Sequence, residues 1–292
     1  MARDWSSRES ALPVAIAQFL AREGDKAGNV ERALALIDRA AAGGARLVVL
    51  PELFTGLGYA DATSYRTEIA EPIPGPTFDA LAGRARRHGL YLTGSYYERD
   101  GDRFYNAAPF IGPDGRLLGV YRKTHLFDVP DRVDIPPGIV ESRKVSPGDR
   151  LCAFDTPWGR IGLTICVDLR FAEVYRTLAL DGCRAIICVS AFLSPRLDHW
   201  EFLLRTRAAD NQLWLIASGQ SGTEPVSGIG FCGRSMTVDP WGVVTAQASD
   251  GEGLVQTVLD MDLVEAVRAR WDLARQRRPE LYGDRERARA AG

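Results

Sequence analysis

The sequence predicts one domain of mixed α/β architecture in which helices cover β-sheets. Apolar runs that fit buried strands alternate with stretches of helical periodicity, an order typical of βαβ units. Three related turns also predict antiparallel hairpins. The chain has 292 residues, 46% of them hydrophobic, and no Pro/Ser/Gly-rich linker divides it. We therefore expect a single domain over residues 11–282, with tails at residues 1–10 and 283–292.

Strands and helices alternate along this domain. Continuous apolar runs, such as residues 47–50, are typical of strands buried on both faces. The predicted strands span residues 13–19, 47–50, 90–97, 161–165, 185–189 and 213–217. Helical spacing of apolar residues predicts a helix that ends at Gly43-Gly44 and another over residues 78–88. The helices that follow residues 165 and 189 carry Val174 and Trp200.

The three turns have proline in the second position and glycine in the fourth, which suits a type I turn. Each precedes a short apolar run, so each is predicted to close an antiparallel hairpin. They span residues 112–115, 156–159 and 239–242.

Composition excludes several classes of function. The 36 basic and 38 acidic side chains give a formal net charge of −2, which offers no electrostatic footprint for nucleic acid or an anionic membrane. No apolar run approaches the roughly 20 residues that span a bilayer, and the N-terminus does not resemble a signal peptide. The five cysteines are odd in number and form no C-x-x-C pair. This argues against disulfides and a structural zinc site, and predicts a reducing cytoplasm.

Three reactive side chains each follow a predicted strand. Glu52 comes after the run at 47–50, Lys123 after residues 117–122, and Cys166 after residues 161–165. In open α/β sheets the ligand crevice lies at the carboxyl ends of the strands. These side chains are therefore expected to converge although they are far apart in sequence.

Their chemistry is complementary. A cysteine attacks as the thiolate, and Glu52 can accept the proton of Cys166 as a general base. Lys123 can stabilise the thiolate and then the oxyanion of a tetrahedral intermediate, with the backbone N–H of Val167 as a second donor. A helix that begins near Phe171 adds a partial positive charge. No metal or organic cofactor is needed.

Other interpretations of these residues stay open at this level. A cysteine after a strand is often a small buried hydrophobe, Glu52 can be a helix-start carboxylate, and Lys123 can be a solvated charge. All three together fit one shared site better. A histidine base is the main competitor: His88 is expected to be exposed, whereas a Cys166–His125 pair stays possible.

At this point the motifs resemble a known family. Pro-Glu-Leu-Phe at residues 51–54, Tyr-Arg-Lys-Thr-His-Leu-Phe at 121–127 and Ile-Cys-Val-Asp-Leu-Arg-Phe at 165–171 are similar to the three catalytic blocks of the nitrilase superfamily of carbon–nitrogen hydrolases, in the same order. The resemblance runs from about Pro13 to Tyr282. Three ordered blocks are far more specific than any one of them.

The resemblance implies a four-layer α-β-β-α sandwich and a Glu-Lys-Cys triad at Glu52, Lys123 and Cys166. It also implies a second glutamate, Glu141, that positions Lys123 and the substrate amide. Members of the superfamily form homodimers or larger homo-oligomers, so a second copy of the chain is an expected partner. The other expected partner is a small-molecule amide.

Within the superfamily the chain looks most like the omega-amidase branch, which hydrolyses monoamides of dicarboxylic acids. It departs from that branch at Val167, where tyrosine is common, at Arg234 within a G-H-S segment, and at Ser190, where a proline-glycine pair is usual. These changes bear on the substrate more than on the reaction. The alternatives are an N-carbamoyl amino acid amidohydrolase, a nitrilase, and an inactive scaffold or interaction protein.

A remote substrate carboxylate calls for a cationic partner. Arg170 and Arg234 are the candidates from sequence, although Arg170 is equally suited to a structural ion pair. Tyr59, Phe127 and Phe192 are the candidates for an apolar wall of the substrate pocket.

Overall fold

The computed structural model describes residues 9–58, 68–129 and 139–282. Within those ranges the chain forms two large sheets, one short hairpin and five α-helices. The first sheet contains β1 (Ala11–Gln18), β2 (Leu47–Val49), β3 (Tyr91–Thr93), β4 (Tyr96–Asp100), β5 (Arg103–Ile111), β6 (Leu117–Arg122) and β15 (Gly253–Asp260). The second contains β7 (Cys152–Thr156), β8 (Gly159–Ile165), β9 (Cys183–Ser190), β10 (Trp214–Gly219), β13 (Met236–Val238) and β14 (Val244–Gln247). The hairpin pairs β11 (Ser221–Thr223) with β12 (Gly230–Cys232).

The sheets combine parallel centres with antiparallel edges. In the first sheet β1, β2 and β3 are parallel, and β15 pairs antiparallel with the outer edge of β1. In the second sheet β8, β9 and β10 are parallel, whereas β7, β13 and β14 extend it antiparallel. The parallel strands therefore direct their carboxyl ends to a shared edge of each sheet.

Four helices cover the outer faces of the two sheets. Helices α1 (Lys26–Ala42) and α2 (Pro76–His88) pack on the first sheet, and α3 (Ala172–Leu180) and α4 (Leu197–Asn211) pack on the second. The fifth helix, α5 (Asp262–Arg270), follows β15 and contributes Val264 to the core between the sheets. The order of layers is α-β-β-α, which confirms the predicted sandwich.

Alternating burial explains why the central strands are apolar throughout. Val14 and Ile16 of β1 face the second sheet, whereas Ala15 and Ala17 face the helices. In β9 the odd-numbered Ala185, Ile187 and Val189 lie between the sheets, and the residues between them face α3 and α4. A strand covered on both faces needs apolar residues at every position, as the sequence pattern predicts.

All three predicted hairpin turns are confirmed. They connect β5 to β6, β7 to β8, and β13 to β14, and each pair of strands is antiparallel.

The strand predicted over residues 90–97 has a break that the sequence pattern did not predict. It forms β3 and β4, which lie end to end along β5 in one register and are separated by Gly94 and Ser95. A Cβ atom on Gly94 would lie 2.5 Å from the Cβ atom of Leu50, so only glycine fits there. Ser95 leaves the strand ladder to bind the turn that carries Glu52.

Two further expectations concern single residues. Tyr59 lies outside the described residues. His88, expected to be exposed, is instead half-buried, because its Nε2 atom lies 2.7 Å from Asp38 Oδ1. No helix within the described ranges is long and apolar enough to cross a membrane.

Candidate active site

Glu52 lies in a turn directly after β2, and three hydrogen bonds hold this turn in place. Leu53 adopts a left-handed backbone conformation with φ of 49°. Its N–H donates to Ser95 Oγ at 3.0 Å, the Phe54 N–H donates to the Ser95 carbonyl at 3.0 Å, and Gln220 Nε2 donates to the Glu52 carbonyl at 2.8 Å. These bonds fix the direction in which the Glu52 carboxylate points.

The ammonium group of Lys123 is bound between two carboxylates. Lys123 follows β6 and its side chain is only 3% exposed. Its Nζ atom lies 2.9 Å from Glu52 Oε1 and 2.9 Å from Glu141 Oε2. Glu141 opens a short 3₁₀ turn and also accepts the Phe127 N–H at 2.8 Å.

Lys123 is charged at neutral pH. Burial opposes its charge, but Glu141, Glu52 and the Cys166 sulfur together raise the pKa of the ammonium group well above its usual value. The ammonium group is therefore a permanent positive charge next to the sulfur, as an oxyanion binding site requires.

Cys166 lies at a strained point between β8 and a 3₁₀ turn, Cys166–Arg170. Its φ of 49° is in the left-handed region, which is uncommon for a residue with a Cβ atom and costs about 1–3 kcal/mol. The carboxylate of Asp168 holds the turn by accepting the Ile165 N–H at 2.9 Å.

Asp168 also ties this turn to the segment that carries Lys123. The carboxylate is fully buried and accepts the Tyr121 hydroxyl at 2.7 Å and the His125 N–H at 3.2 Å. His125 Nδ1 lies 2.9 Å from the same carboxylate. One side chain therefore joins the first sheet to the second beside the candidate nucleophile.

The resting form of Cys166 is the neutral thiol. Burial raises the pKa of the thiol well above its usual value, and the negative charge of Glu52 raises it further, whereas the Lys123 ammonium and the Ser190 hydroxyl act to lower it. A thiol in this state becomes a nucleophile only when a neighbouring base removes its proton, and Glu52 is the carboxylate that acts on it most strongly.

We expect Glu52→Gln to make the Cys166 thiol more acidic. Loss of the neighbouring negative charge lowers the pKa of the thiol, because Glu52 then no longer opposes the stabilisation of the thiolate by Lys123. Alkylation of Cys166 by iodoacetamide near neutral pH is expected to accelerate, because a larger fraction of the thiol is then ionised. The rate is measured by peptide mass spectrometry.

The matched control for that measurement is Glu71→Gln, which neutralises another buried carboxylate, bound 2.9 Å from Lys26. It should leave the alkylation rate of Cys166 unchanged. An unchanged or slower rate in Glu52→Gln would mean that Glu52 does not act electrostatically on the thiol.

The backbone beside Cys166 offers a donor for an oxyanion. The first N–H groups of a helical turn have no acceptor within the turn, and Val167 is the second residue of the 3₁₀ turn. Its N–H is therefore still the candidate for the second oxyanion donor, together with the Lys123 ammonium.

One cleft brings most of the candidate residues together. It spans about 640 Å³, including space that is open to solvent. Its charged and reactive lining residues are Glu52, Lys123, Glu141, Lys144, Cys166, Arg170 and Arg196. Phe127, Phe192 and Val167 also line it, so the side chains suggested for a substrate pocket, apart from Tyr59 and Arg234, contact the same space.

Arg234 lies elsewhere. Its guanidinium group pairs with Asp250 at 2.7 Å, and Arg234 is not among the described residues that line the cleft. Its carbonyl accepts the Trp200 indole N–H at 3.0 Å. These contacts are structural, since they join the residues before β13 to α4 and to the segment after β14.

The histidines do not form the alternative pair with Cys166. The ring of His125 bonds to Asp168 and stacks on Phe171, with centroids 3.8 Å apart. His199 lies 3.3 Å from Arg170 Nη1. Neither lies among the cleft-lining side chains within the described ranges.

Several residues of the site were not anticipated from the sequence. Asn106 in β5 donates to Glu52, Ser95 binds the Glu52 turn, and Arg196 lines the cleft beside Arg170. Asn106 left one signal, a carboxamide in the middle of an apolar strand, where a polar group needs a specific partner. No feature of the sequence distinguishes Ser95 and Arg196 from ordinary polar residues.

The sandwich and its cleft define the class of protein: this is a nitrilase-type hydrolase fold. Glu52, Lys123 and Cys166 lie at the ends of strands from both sheets. The sequence matches the Carbon-nitrogen hydrolase family over residues 13–269, and the chain belongs to that family.

Relatives with known names support this assignment. Omega-amidase NIT2 of Homo sapiens is 40% identical over 261 residues, which cover 88% of this chain and 92% of that protein. Omega-amidase NIT2 of Danio rerio is 39% identical, with coverage of 88% and 91%. The crystal structure of Saccharomyces cerevisiae Nit3, a member of branch 10 of the nitrilase superfamily, superimposes with a TM-score of 0.82 at 32% identity and covers 92% of this chain and 97% of its own.

Proposed function

We propose that this protein is an amidase of the omega-amidase type, which hydrolyses the terminal amide of a small carboxylate-bearing substrate through a thioester on Cys166. The observation that carries the proposal is the buried Lys123 ammonium group, held 2.9 Å from both Glu52 and Glu141 in the cleft that Cys166 also lines. The identity of about 40% with omega-amidases supports the same activity.

In the first half of the reaction the substrate carbonyl binds beside Cys166. Glu52 accepts the thiol proton as the sulfur attacks the amide carbon, which forms a C–S bond and places a negative charge on the carbonyl oxygen. Lys123 and the Val167 N–H stabilise that oxyanion. Glu52 then returns the proton to the leaving nitrogen, so the C–N bond breaks and ammonia leaves.

In the second half a water molecule replaces ammonia. Glu52 accepts a proton from the water as its oxygen attacks the thioester carbon, and the same donors stabilise the second tetrahedral intermediate. The C–S bond then breaks, the carboxylic acid leaves, and the sulfur regains its proton from Glu52. Glu141 keeps Lys123 in place and accepts an N–H of the substrate amide.

Cationic side chains at the cleft support a substrate with a second carboxylate. Arg170, Arg196 and Lys144 line the same space as Cys166. Guanidinium groups bind carboxylates through paired, charge-assisted hydrogen bonds. Arg170 also lies over the ring of Phe192, 5.2 Å from its centroid, which restricts the directions in which the guanidinium group can point.

The proposal is tested with three substrates side by side: succinamate, an N-carbamoyl amino acid and a simple nitrile. We expect ammonia release from succinamate with the largest kcat/KM. A preference for the carbamoyl substrate or for the nitrile would instead support a carbamoylase or a nitrilase. Activity on none of them would favour the scaffold interpretation.

We expect Arg196→Gln to weaken recognition of the substrate carboxylate. The loss of one charge-assisted hydrogen bond is worth about 1.5–3 kcal/mol, so kcat/KM for succinamate should fall by about 10- to 100-fold, mainly through KM. Butyramide has a methyl group in place of the carboxylate, and its turnover should change little.

Arg234→Gln is the comparison, because that guanidinium group pairs with Asp250 outside the cleft. It should leave succinamate turnover unchanged. Equal losses for succinamate and butyramide in Arg196→Gln would contradict a role in carboxylate binding, and a selective loss in Arg234→Gln would assign that role to Arg234.

We also propose that the protein self-associates through the outer surface of α3 and α4. Phe171, Leu180, Phe202 and Trp241 are exposed there or on the adjacent hairpin, with 38–51% of their surface accessible. Large apolar side chains grouped on one face are typical of protein contacts. A monomer in sedimentation equilibrium at micromolar concentration would contradict this proposal.

A further inference from the structure

Asn106 contacts three of the four proposed catalytic residues. It lies in β5 and is 1% exposed. Its Nδ2 atom donates to Glu52 Oε1 at 2.7 Å and lies 3.4 Å from Glu141 Oε1. Its backbone carbonyl accepts the Lys123 N–H at 2.9 Å. Asn106 therefore contacts Glu52, Glu141 and Lys123 at the same time.

The two neighbouring carboxylates orient the carboxamide of Asn106, because its NH2 group, and not its oxygen, faces them. The Oδ1 atom is buried and has no hydrogen-bond partner among the described residues, which folded proteins seldom accept. The reverse orientation would direct that oxygen at two carboxylates. The site therefore requires the NH2 group of the amide to face Glu52 and Glu141.

The two oxygens of Glu52 are consequently not equivalent. Oε1 accepts two donors, Asn106 Nδ2 and Lys123 Nζ at 2.9 Å. Within the described part of the chain Oε2 accepts one donor, the Ala191 N–H at 2.6 Å. A carboxylate oxygen has two lone pairs, so both lone pairs of Oε1 are occupied and one lone pair of Oε2 stays open.

We propose that Asn106 is a positioning residue for catalysis: together with Lys123 it occupies Oε1 of Glu52, so that Oε2 accepts the proton of the nucleophile. Its second N–H holds Glu141 beside Lys123 and adds no charge between two carboxylates. An aspartate there would add a third negative charge, and an aliphatic side chain would remove one of the two donors to Oε1. This inference rests on the proposed amidase function.

The effect of Asn106 should appear in kcat and much less in KM. Asn106 contacts Glu52 and Glu141 but is not among the described residues that line the cleft. Substrate binding therefore does not depend on it directly. A misdirected Glu52 carboxylate slows proton transfer within the enzyme–substrate complex, which lowers kcat.

The experiment compares Asn106→Leu and Asn106→Asp with the wild-type enzyme on succinamate. Asn106→Leu should lower kcat by about 100-fold, the cost of misplacing a catalytic group by about 1 Å, with a smaller change in KM. Asn106→Asp preserves shape and should show a larger loss of kcat, because it adds negative charge between two carboxylates.

Asn211→Leu is the matched control. Asn211 lies in α4, is buried, and also has an Oδ1 atom without a partner among the described residues. It should lose stability without a loss of kcat. A wild-type kcat in both Asn106 variants, or an equal loss of kcat in Asn211→Leu, would overturn the proposal.

The design separates this inference from the function on which it rests. Failure of the amidase proposal would appear as an inactive wild-type enzyme, or as turnover that survives Cys166→Ala. Failure of the Asn106 inference would appear with the wild-type enzyme fully active. If Asn106→Leu does not fold, as judged by circular dichroism, the isosteric Asn106→Asp decides the outcome through its kcat and KM.

Discussion

Replacing Cys166 by alanine is expected to lower kcat for succinamate hydrolysis by about a millionfold, the loss typical of removing a catalytic nucleophile. Without the sulfur no thioester forms, and the remaining donors can only polarise the carbonyl. Ammonia release measures the loss. Intact-protein mass spectrometry of acid-quenched samples should reveal an acyl adduct on the wild-type chain and none on the variant.

Cys188→Ala is the control for this substitution. Cys188 lies in β9, next to the strand that leads to Cys166, and it is fully buried. Its removal should leave kcat unchanged. Ammonia release that persists in Cys166→Ala, or disappears in Cys188→Ala instead, would refute the assignment of the nucleophile. A wild-type chain that forms no adduct with any of the three substrates would favour an inactive scaffold.

Replacing Lys123 by methionine is expected to damage both activity and stability. The ammonium group is bound to two carboxylates inside the protein, and its removal leaves their negative charges uncompensated. Breaking a buried ion pair in this way costs about 3–5 kcal/mol. Loss of an oxyanion donor should also lower kcat by about 100- to 1,000-fold. Urea denaturation and ammonia release measure the two effects.

Lys26→Met separates these effects from the general loss of a lysine. Lys26 lies 2.9 Å from Glu71, but its side chain is 28% exposed. A partly solvated pair contributes about 1 kcal/mol or less, so this variant should retain full activity and most of its stability. A Lys123→Met protein as stable as the wild type would mean that Glu52 and Glu141 do not depend on Lys123 for compensation.

The sequence predicted the layers of the fold well because each layer has its own periodicity. Strands β1, β2 and β9 are covered on both faces, so they are apolar throughout, and the helices repeat their apolar residues at 3.6-residue spacing. The three turns with proline in the second position and glycine in the fourth predicted their hairpins, because those residues prefer the backbone angles of a type I turn. Local causes of this kind are visible in one sequence without any knowledge of tertiary contacts.

The convergence of the candidate site was also predictable, because each reactive side chain follows a strand. The structure brings Lys123 to 2.9 Å from Glu52 and places Cys166 at the same cleft. The break between β3 and β4 was not predictable. Its cause is the approach of Gly94 to Leu50 and the bonds from Ser95 to the Glu52 turn, and both are contacts between segments more than 40 residues apart.

For a similar reason, the sequence could not predict which of the candidate arginines lines the cleft. Arg170 and Arg234 look equally suitable along the chain, but Arg234 is engaged by Asp250, whereas Arg170 and Arg196 line the cleft. Asn106 illustrates the same limit. Its role depends on carboxylates that follow a different strand and a distant loop, and only the folded arrangement places them on either side of its amide.

The pairing of β15 with β1 has a consequence for synthesis of the protein. β1 leaves the ribosome long before the strand that pairs with its outer edge, which spans Gly253–Asp260. Until that segment emerges, β1 presents a row of unpaired backbone groups, and Gln18 at its end lacks the carbonyls of Ser249 and Gly251 that it binds in the finished fold. Completion of the sheet that carries Glu52 and Lys123 therefore waits for the synthesis of β15, and the unfinished chain depends on chaperones or on speed to keep that edge from pairing elsewhere.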